Sequence, residues 1–241
     1  MTDFRKSAWA DNRFAESYLD KAEIYVVERR KMLWFVTSLV SHFCGREKPV
    51  TILDLGCGDG IVTHEVLKVN GNNAATLVDG GEAMLQKARE RLGSYQNVEF
   101  VKASFQEILD GKTALGNYDA CVSSMAIHHL DLSEKAALFR FIYEHLNEGG
   151  RFVNVDVTLA PAEELQEWYL GIWKDWMSHM MAQYNVTDEV PEDVIRRYQD
   201  PVSMNKPDTL QDQLDALNAA GFRNVDCYYK NGLFAVFGGK R

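Results

Sequence analysis

Four groups of residues have the types and spacing for chemistry. Asp54-Leu55-Gly56-Cys57-Gly58-Asp59-Gly60 places two glycines between carboxylates and a third just after them, at the end of an apolar run. Asp79 closes the next apolar run, nineteen residues past Gly60. His128-His129 follow a fourth run, and Asp156 stands near the end of a fifth. A glycine turn lets a ligand approach the backbone closely, a use shared by dinucleotide, nucleotide and nucleoside sites. Two features narrow the choice. Ile61 stands where a dinucleotide loop has its third glycine, and the lysine of a phosphate-binding loop is missing. Carboxylates at Asp54 and Asp59 would repel a pyrophosphate but suit a ligand bearing an ammonium or sulfonium. Asp79 is placed to accept hydrogen bonds from a ribose diol. Either histidine has an unperturbed pKa suited to a general base, and the alternative is that one of them packs or caps the following loop. Asp156 would hold an amine or hydroxyl acceptor, or else bond nearby backbone.

These groups need a scaffold that brings strand ends together. Residues 50–157 alternate apolar runs (Val50–Leu55, Ala74–Val78, Val98–Val101, Tyr118–Ser123, Arg151–Val157) with helical patterns near Ile61–Lys68, Glu82–Leu92, Phe105–Leu109 and Ser133–Leu146. That rhythm implies parallel strands joined by crossover helices, with ligands bound at the carboxyl ends of the strands. Residues 1–48 read as helices, with Ile24, Val27, Leu33, Trp34, Val36, Leu39, Val40 and Phe43 at three- and four-residue spacings. Pro161 to about Tyr198 reads as a helical insertion rich in Trp, Tyr and Met. Asp208 is placed to cap a helix through Ala220 that Gly221 stops, and Lys230-Asn231-Gly232 separates two closing strands. The fold class is therefore α/β: a doubly wound, mostly parallel, seven-stranded Rossmann-like sheet in one domain over 1–241. Helices at 1–44 and 160–205 are expected to close over the crevice as a lid.

A length of 241 residues with 46% hydrophobic and 25% charged residues fits one large core. The net charge of −9 argues against nucleic acid as a partner and favours a small-molecule substrate. No apolar run approaches the roughly 18 residues of a membrane helix, and the first residues lack a signal-peptide pattern. Cys44, Cys57, Cys121 and Cys227 are scattered without a CxxC pair, so neither a metal site nor a disulfide framework is expected, and reduced thiols suit a cytoplasmic protein. The aromatic insertion is a candidate homodimer surface.

The stretches ILDLGCGDG and LVDGGEAMLQKARERL resemble the first two motifs of class I methyltransferases that use S-adenosylmethionine (SAM); NVEFVKASFQEI and YDACVSSMAIHHL resemble the next two. The likeness spans about Val50 to Val157, and the closing GF…FAVFGGK strands fit as well. Its motifs are specific for the cofactor and nearly silent on the acceptor. By position, the resemblance implies that Asp54 orients the loop and that Gly56, Cys57 and Gly58 face the methionine part of SAM. Asp79 would bind the ribose, with Gly80 and Met84 near the adenine. Ser104 and Phe105 fall where the family often has an acidic residue and an apolar neighbour; Ala103-Ser104-Phe105 departs from that pattern in lacking the acid. Ser123 and Ser124 end the fourth strand. The aromatic insertion resembles the subgroup related to carboxy-SAM synthases of tRNA modification, in which an amino-terminal tyrosine and an insertion arginine enclose the cofactor; Tyr25, Arg29, Arg196 and Arg197 are the counterparts.

The expected activity is methyl transfer to a small molecule by in-line displacement, with His128, His129 and Asp156 as catalytic candidates and Trp173, Trp176 and Arg197 at the acceptor. The alternatives are a carboxy-SAM synthase-like enzyme linked to tRNA modification and a non-catalytic SAM-binding regulator. A nicotinamide-dependent oxidoreductase is disfavoured by the acidic loop.

Overall fold

The computed structural model describes residues 17–45, 48–200 and 203–241. Among the described residues, α1 (Ala22–Tyr25) and α2 (Arg29–Phe43) precede the alternating region. That region runs β1 (Thr51–Leu55), α3 (Ile61–Val69), β2 (Ala74–Asp79), α4 (Glu82–Leu92), β3 (Val98–Lys102), α5 (Phe105–Leu109), β4 (Tyr118–Ser124), α6 (Leu132–His145) and β5 (Leu146–Val157). Then come α7 (Glu163–Gln183), α8 (Pro191–Gln199), α9 (Leu210–Ala220), β6 (Arg223–Asn231) and β7 (Phe234–Lys240). The expected helices before Ser17 lie outside the described residues.

The seven strands are ordered β3-β2-β1-β4-β5-β7-β6. The first five pair in parallel, and β7 runs antiparallel to both β5 and β6. Strand order reverses between β1 and β4, which opens a crevice at their carboxyl ends. The glycine loop follows β1, and Ser124 follows the apolar run of β4, so the chemistry-bearing residues converge there.

Each face of the sheet carries its own core. One is built by Met32, Leu33, Val36, Leu39 and Val40 of α2 with Val66, Leu85, Trp173, Met177 and Met181. The other is built by Leu138, Phe139 and Ile142 of α6 with Phe152, Leu217 and Phe237. The three- and four-residue spacing in α2 is thus the core stripe, with two departures. Trp34 is 60% and Phe43 54% exposed; Trp34 packs edge-on against Phe35, and Phe43 lies under the Arg151 guanidinium.

Three boundaries differ from expectation for local reasons. Strand β5 starts at Leu146 rather than Arg151, because Leu146 already pairs with Tyr118 before a register shift carries the pairing to Ala120 and Arg151. Helix α9 is capped by Thr209, whose hydroxyl accepts from the Asp212 amide at 3.1 Å. Asp208 is not the cap; its carboxylate is taken by the fully buried Lys135. The insertion is two helices, broken at Tyr184–Val190, where α8 begins with Pro191 in its first turn.

Candidate cofactor cleft

The crevice holds an open cleft lined by the glycine loop, the ends of β2 and β4, the start of α5 and the amino-terminal segment. Gly56, Gly58 and Gly60 all have positive φ. The two that approach the cleft differ in what they exclude. A Cβ on Gly56 would lie 2.4 Å from the Ala126 Cβ, so glycine there is a packing requirement. A Cβ on Gly58 would meet nothing within 4 Å; the space beside it is left open.

The three acids take different roles. Asp54 is fully buried behind the loop and accepts from the Thr63 hydroxyl at 2.7 Å. Burial pushes its pKa up to about 7, against the Thr63 hydrogen bonds and with the help of the Asp79 and Asp59 carboxylates. Asp59 is ion-paired with Arg91 and also accepts from the Ile61 amide at the start of α3. The expectation that Asp54 presents itself to a cationic ligand is corrected accordingly, since it fastens the loop from inside; Asp59 fastens the loop and also lines the cleft. Asp79 lines the cleft as well. Its oxygens accept from Gly58 N at 2.9 Å and Gly81 N at 2.7 Å, which aims the carboxylate while leaving lone pairs for two further donors. Burial raises its pKa, partly offset by those two amides.

Arg29, Gly56, Cys57, Gly58, Asp79, Gly80, Met84, Ser104, Phe105, Ser124 and His129 all line the cleft. Ser104 also caps α5, accepting from the Glu107 amide while its own hydroxyl donates to the Glu107 carboxylate. Ser123 is not in the lining; its buried hydroxyl donates to the Leu55 carbonyl at 2.7 Å.

His128 and Asp156 form a buried pair with Nδ1 2.6 Å from Oδ1. Asp156 also accepts from the amides of His128 at 2.9 Å and Val157 at 3.0 Å, and from Asn154 Nδ2 at 3.3 Å. Its carboxylate is committed to these donors, which fix the short 3-10 turn Ile127–His129. His129 leaves that turn toward the cleft, with its ring 4.1 Å from that of His128. Burial, and then His128, hold its pKa well below the usual value, so the imidazole is neutral.

The insertion residues expected at the acceptor lie elsewhere. The indole of Trp173 donates to the Tyr25 carbonyl at 2.7 Å and that of Trp176 to the Ile24 carbonyl at 3.0 Å. Trp173 is also 6% exposed and packs on Phe234 and Tyr198. Burying a large aromatic side chain contributes roughly 1.5–3 kcal/mol, enough to explain its presence as core. Tyr25 donates to Glu189, and Arg197 pairs with the same carboxylate; Arg196 is exposed and pairs with Asp193. None of these five side chains is in the cleft lining.

Sequence reasoning missed Tyr18, Val26, Met125, Leu130 and Met204, all cleft residues. Met125 and Met204 both have left-handed backbone, φ 54° and 60°, a conformation L side chains adopt at a cost and one that gathers at functional sites. Nothing in a methionine's identity signals it. Among the described residues no cluster of His, Cys, Asp or Glu could hold a metal, and no helix is long and apolar enough to cross a membrane.

Residues 52–150 match the family model described as a methyltransferase domain. Over that stretch, which is less than half of its length, the chain is similar to methyltransferases. It is similar to the carboxy-S-adenosyl-L-methionine synthase of Nautilia profundicola, at 24% identity over 77% of this chain and 75% of that protein. It is also similar to malonyl-[acyl-carrier protein] O-methyltransferase 1 of Ilyobacter polytropus, at 31% identity over 44% of this chain but 38% of that protein. Among solved structures, human N-acetylserotonin methyltransferase in complex with SAM superposes with TM-score 0.63 at 15% identity, covering 97% of this chain and 57% of that one. The chain thus spans well under two thirds of the latter two. SAM is the cofactor that such a methyltransferase domain uses, and the cleft fits it. The open face of Gly58, the aimed Asp79 and the scarcity of cations suit a nucleoside with a sulfonium rather than a phosphate; Arg29 is the one Lys or Arg in the described lining.

Proposed function

We propose that this methyltransferase moves the methyl group of SAM to a small-molecule acceptor by in-line displacement. The observation that carries this reading is that Asp79, Gly58, Arg29 and His129 all line one cleft. Asp79 would hold the ribose hydroxyls, Met84 and Phe105 would flank the adenine, and Arg29 would meet the carboxylate of the methionine part. SAM supplies an electrophilic methyl carbon, so the protein's contribution is largely position and exclusion of water. Neutral His129 has a lone pair for an acceptor proton, and His128 with Asp156 fixes the turn that presents it. The amino-terminal segment would cover the cleft, with the insertion helices, which contribute no residue to its lining, holding that segment in place.

A second reading, a carboxy-SAM synthase-like enzyme, is favoured by a similarity that extends over most of the chain. Against it stand Arg196 and Arg197, the insertion arginines expected at the cofactor, which are paired with Asp193 and Glu189 outside the cleft lining. Calorimetric titration with SAM, S-adenosylhomocysteine and NAD tests the cofactor: the first two should bind and NAD should not. Mass spectrometry of the ligand retained through purification separates SAM from carboxy-SAM. Radiolabelled methyl transfer into a metabolite extract tests turnover, and its absence would favour a binding protein without catalysis.

A further inference from the structure

Glu189 lies in the break between the two insertion helices, far in sequence from the glycine loop, yet it is 9% exposed in its side chain and contacts three groups. Tyr25 of α1 donates its hydroxyl to one oxygen, Lys21 lies 3.4 Å from the same oxygen, and Arg197 of α8 pairs with the other. Lys21 also bridges to Asp188 at 3.0 Å. Burial would raise the Glu189 pKa, but the hydrogen bonds from Tyr25 and Arg197 hold it below the usual carboxylate range, so it is charged at neutral pH.

The segment that Glu189 grips also carries one wall of the cleft: Tyr18, Leu19, Val26 and Arg29. Two indole N–H groups, from Trp173 and Trp176, hold the carbonyls of Tyr25 and Ile24 beside it. Glu28, at the left-handed turn between α1 and α2, is tied to the closing hairpin by Tyr229 and Asn231. The segment is therefore pinned at both ends, and the Glu189 end is the one nearer Tyr18 in sequence.

We infer that Glu189 is a positioning residue for the cofactor: through Tyr25 and Lys21 it sets where the amino-terminal segment places Tyr18 and Arg29 against the amino-acid end of SAM. The inference rests on reading the cleft as the SAM site. A ligand that lacks that end should be indifferent to Glu189, which separates a positioning role from general loosening of the fold.

The experiment measures Kd for SAM and for 5′-methylthioadenosine, which keeps the adenosine and the sulfur but has no amino acid, on wild type, Glu189→Ala and Glu189→Gln. Glu189→Ala should weaken SAM at least tenfold and 5′-methylthioadenosine less than twofold. Glu189→Gln keeps an acceptor for the Tyr25 hydroxyl and should recover most of the SAM affinity. Unchanged SAM affinity in Glu189→Ala, or an equal loss for both ligands, would overturn the inference. Failure of the wild type itself to bind SAM would instead strike the functional reading. Should Glu189→Ala not fold, Tyr25→Phe makes the same comparison with one hydrogen bond removed: a selective loss of about threefold for SAM supports the inference, and no selective loss overturns it.

Discussion

Asp156 accepts from both ends of His128, the ring Nδ1 at 2.6 Å and the main-chain amide at 2.9 Å. Such a double attachment fixes a side chain's rotamer and its backbone together. The imidazole proton belongs on Nδ1, and the turn that follows β4 has little freedom. Asp156→Ala would leave these donors buried without an acceptor, at about 1–3 kcal/mol per lost group. The variant should melt several degrees lower, and its kcat with the identified acceptor should fall more than its SAM affinity. Equal effects on both would mean that the pair serves the fold alone.

Asp79→Ala should weaken SAM binding by about 1.5–3 kcal/mol, the scale of hydrogen bonds to a charged group. Because Asp79 also collects the Gly58 and Gly81 amides, a modest drop in melting temperature should accompany it. Titration calorimetry on the folded variant decides the point, and wild-type affinity would remove Asp79 from the site.

Two glycines of the loop should respond in opposite ways. Gly58→Ala projects its methyl into open space, so the protein should fold with roughly 1 kcal/mol of backbone strain while losing SAM affinity tenfold or more. Gly56→Ala drives a methyl against Ala126 and should cost stability first. Melting curves paired with SAM titrations would show the split; similar stability of the two variants would contradict it.

The buried Asp54 makes stability depend on pH. Its folded pKa of about 7 lies above the ordinary value of 3.8, so the folded state holds the proton more tightly. The stabilisation from that proton is complete below about 4 and is lost as pH rises through 7. Denaturation midpoints of the wild type should therefore fall between pH 5 and 8 relative to those of Asp54→Asn. Parallel profiles for the two proteins would show that Asp54 is ionised throughout.

The strand–helix rhythm and the glycine turn were legible because both are local: period, length and turn chemistry are written in neighbouring residues. Asp79 could be placed for the same reason, as the end of a strand whose register is set by its own apolar run. The roles of Asp54 and Asp59 were not legible, since Thr63 and Arg91 had to be brought to them by helices α3 and α4. The same holds for Trp173 and Trp176. Their abundance suggested a ligand surface, yet their indoles donate to carbonyls some 150 residues away in sequence. Tyr18 and Met204 reach the cleft only through the packing of segments outside the alternating region.

Those two indole bonds also constrain when the site can exist during synthesis. The carbonyls of Ile24 and Tyr25 emerge 152 and 148 residues before the groups that bind them. A nascent chain that has already laid down β1 to β5 would have the glycine loop and Asp79 in register, but its amino-terminal wall would still lack its fastenings. Cofactor capture should therefore be a late event on the ribosome, and chains truncated before Trp173 should retain SAM poorly even where the sheet has formed.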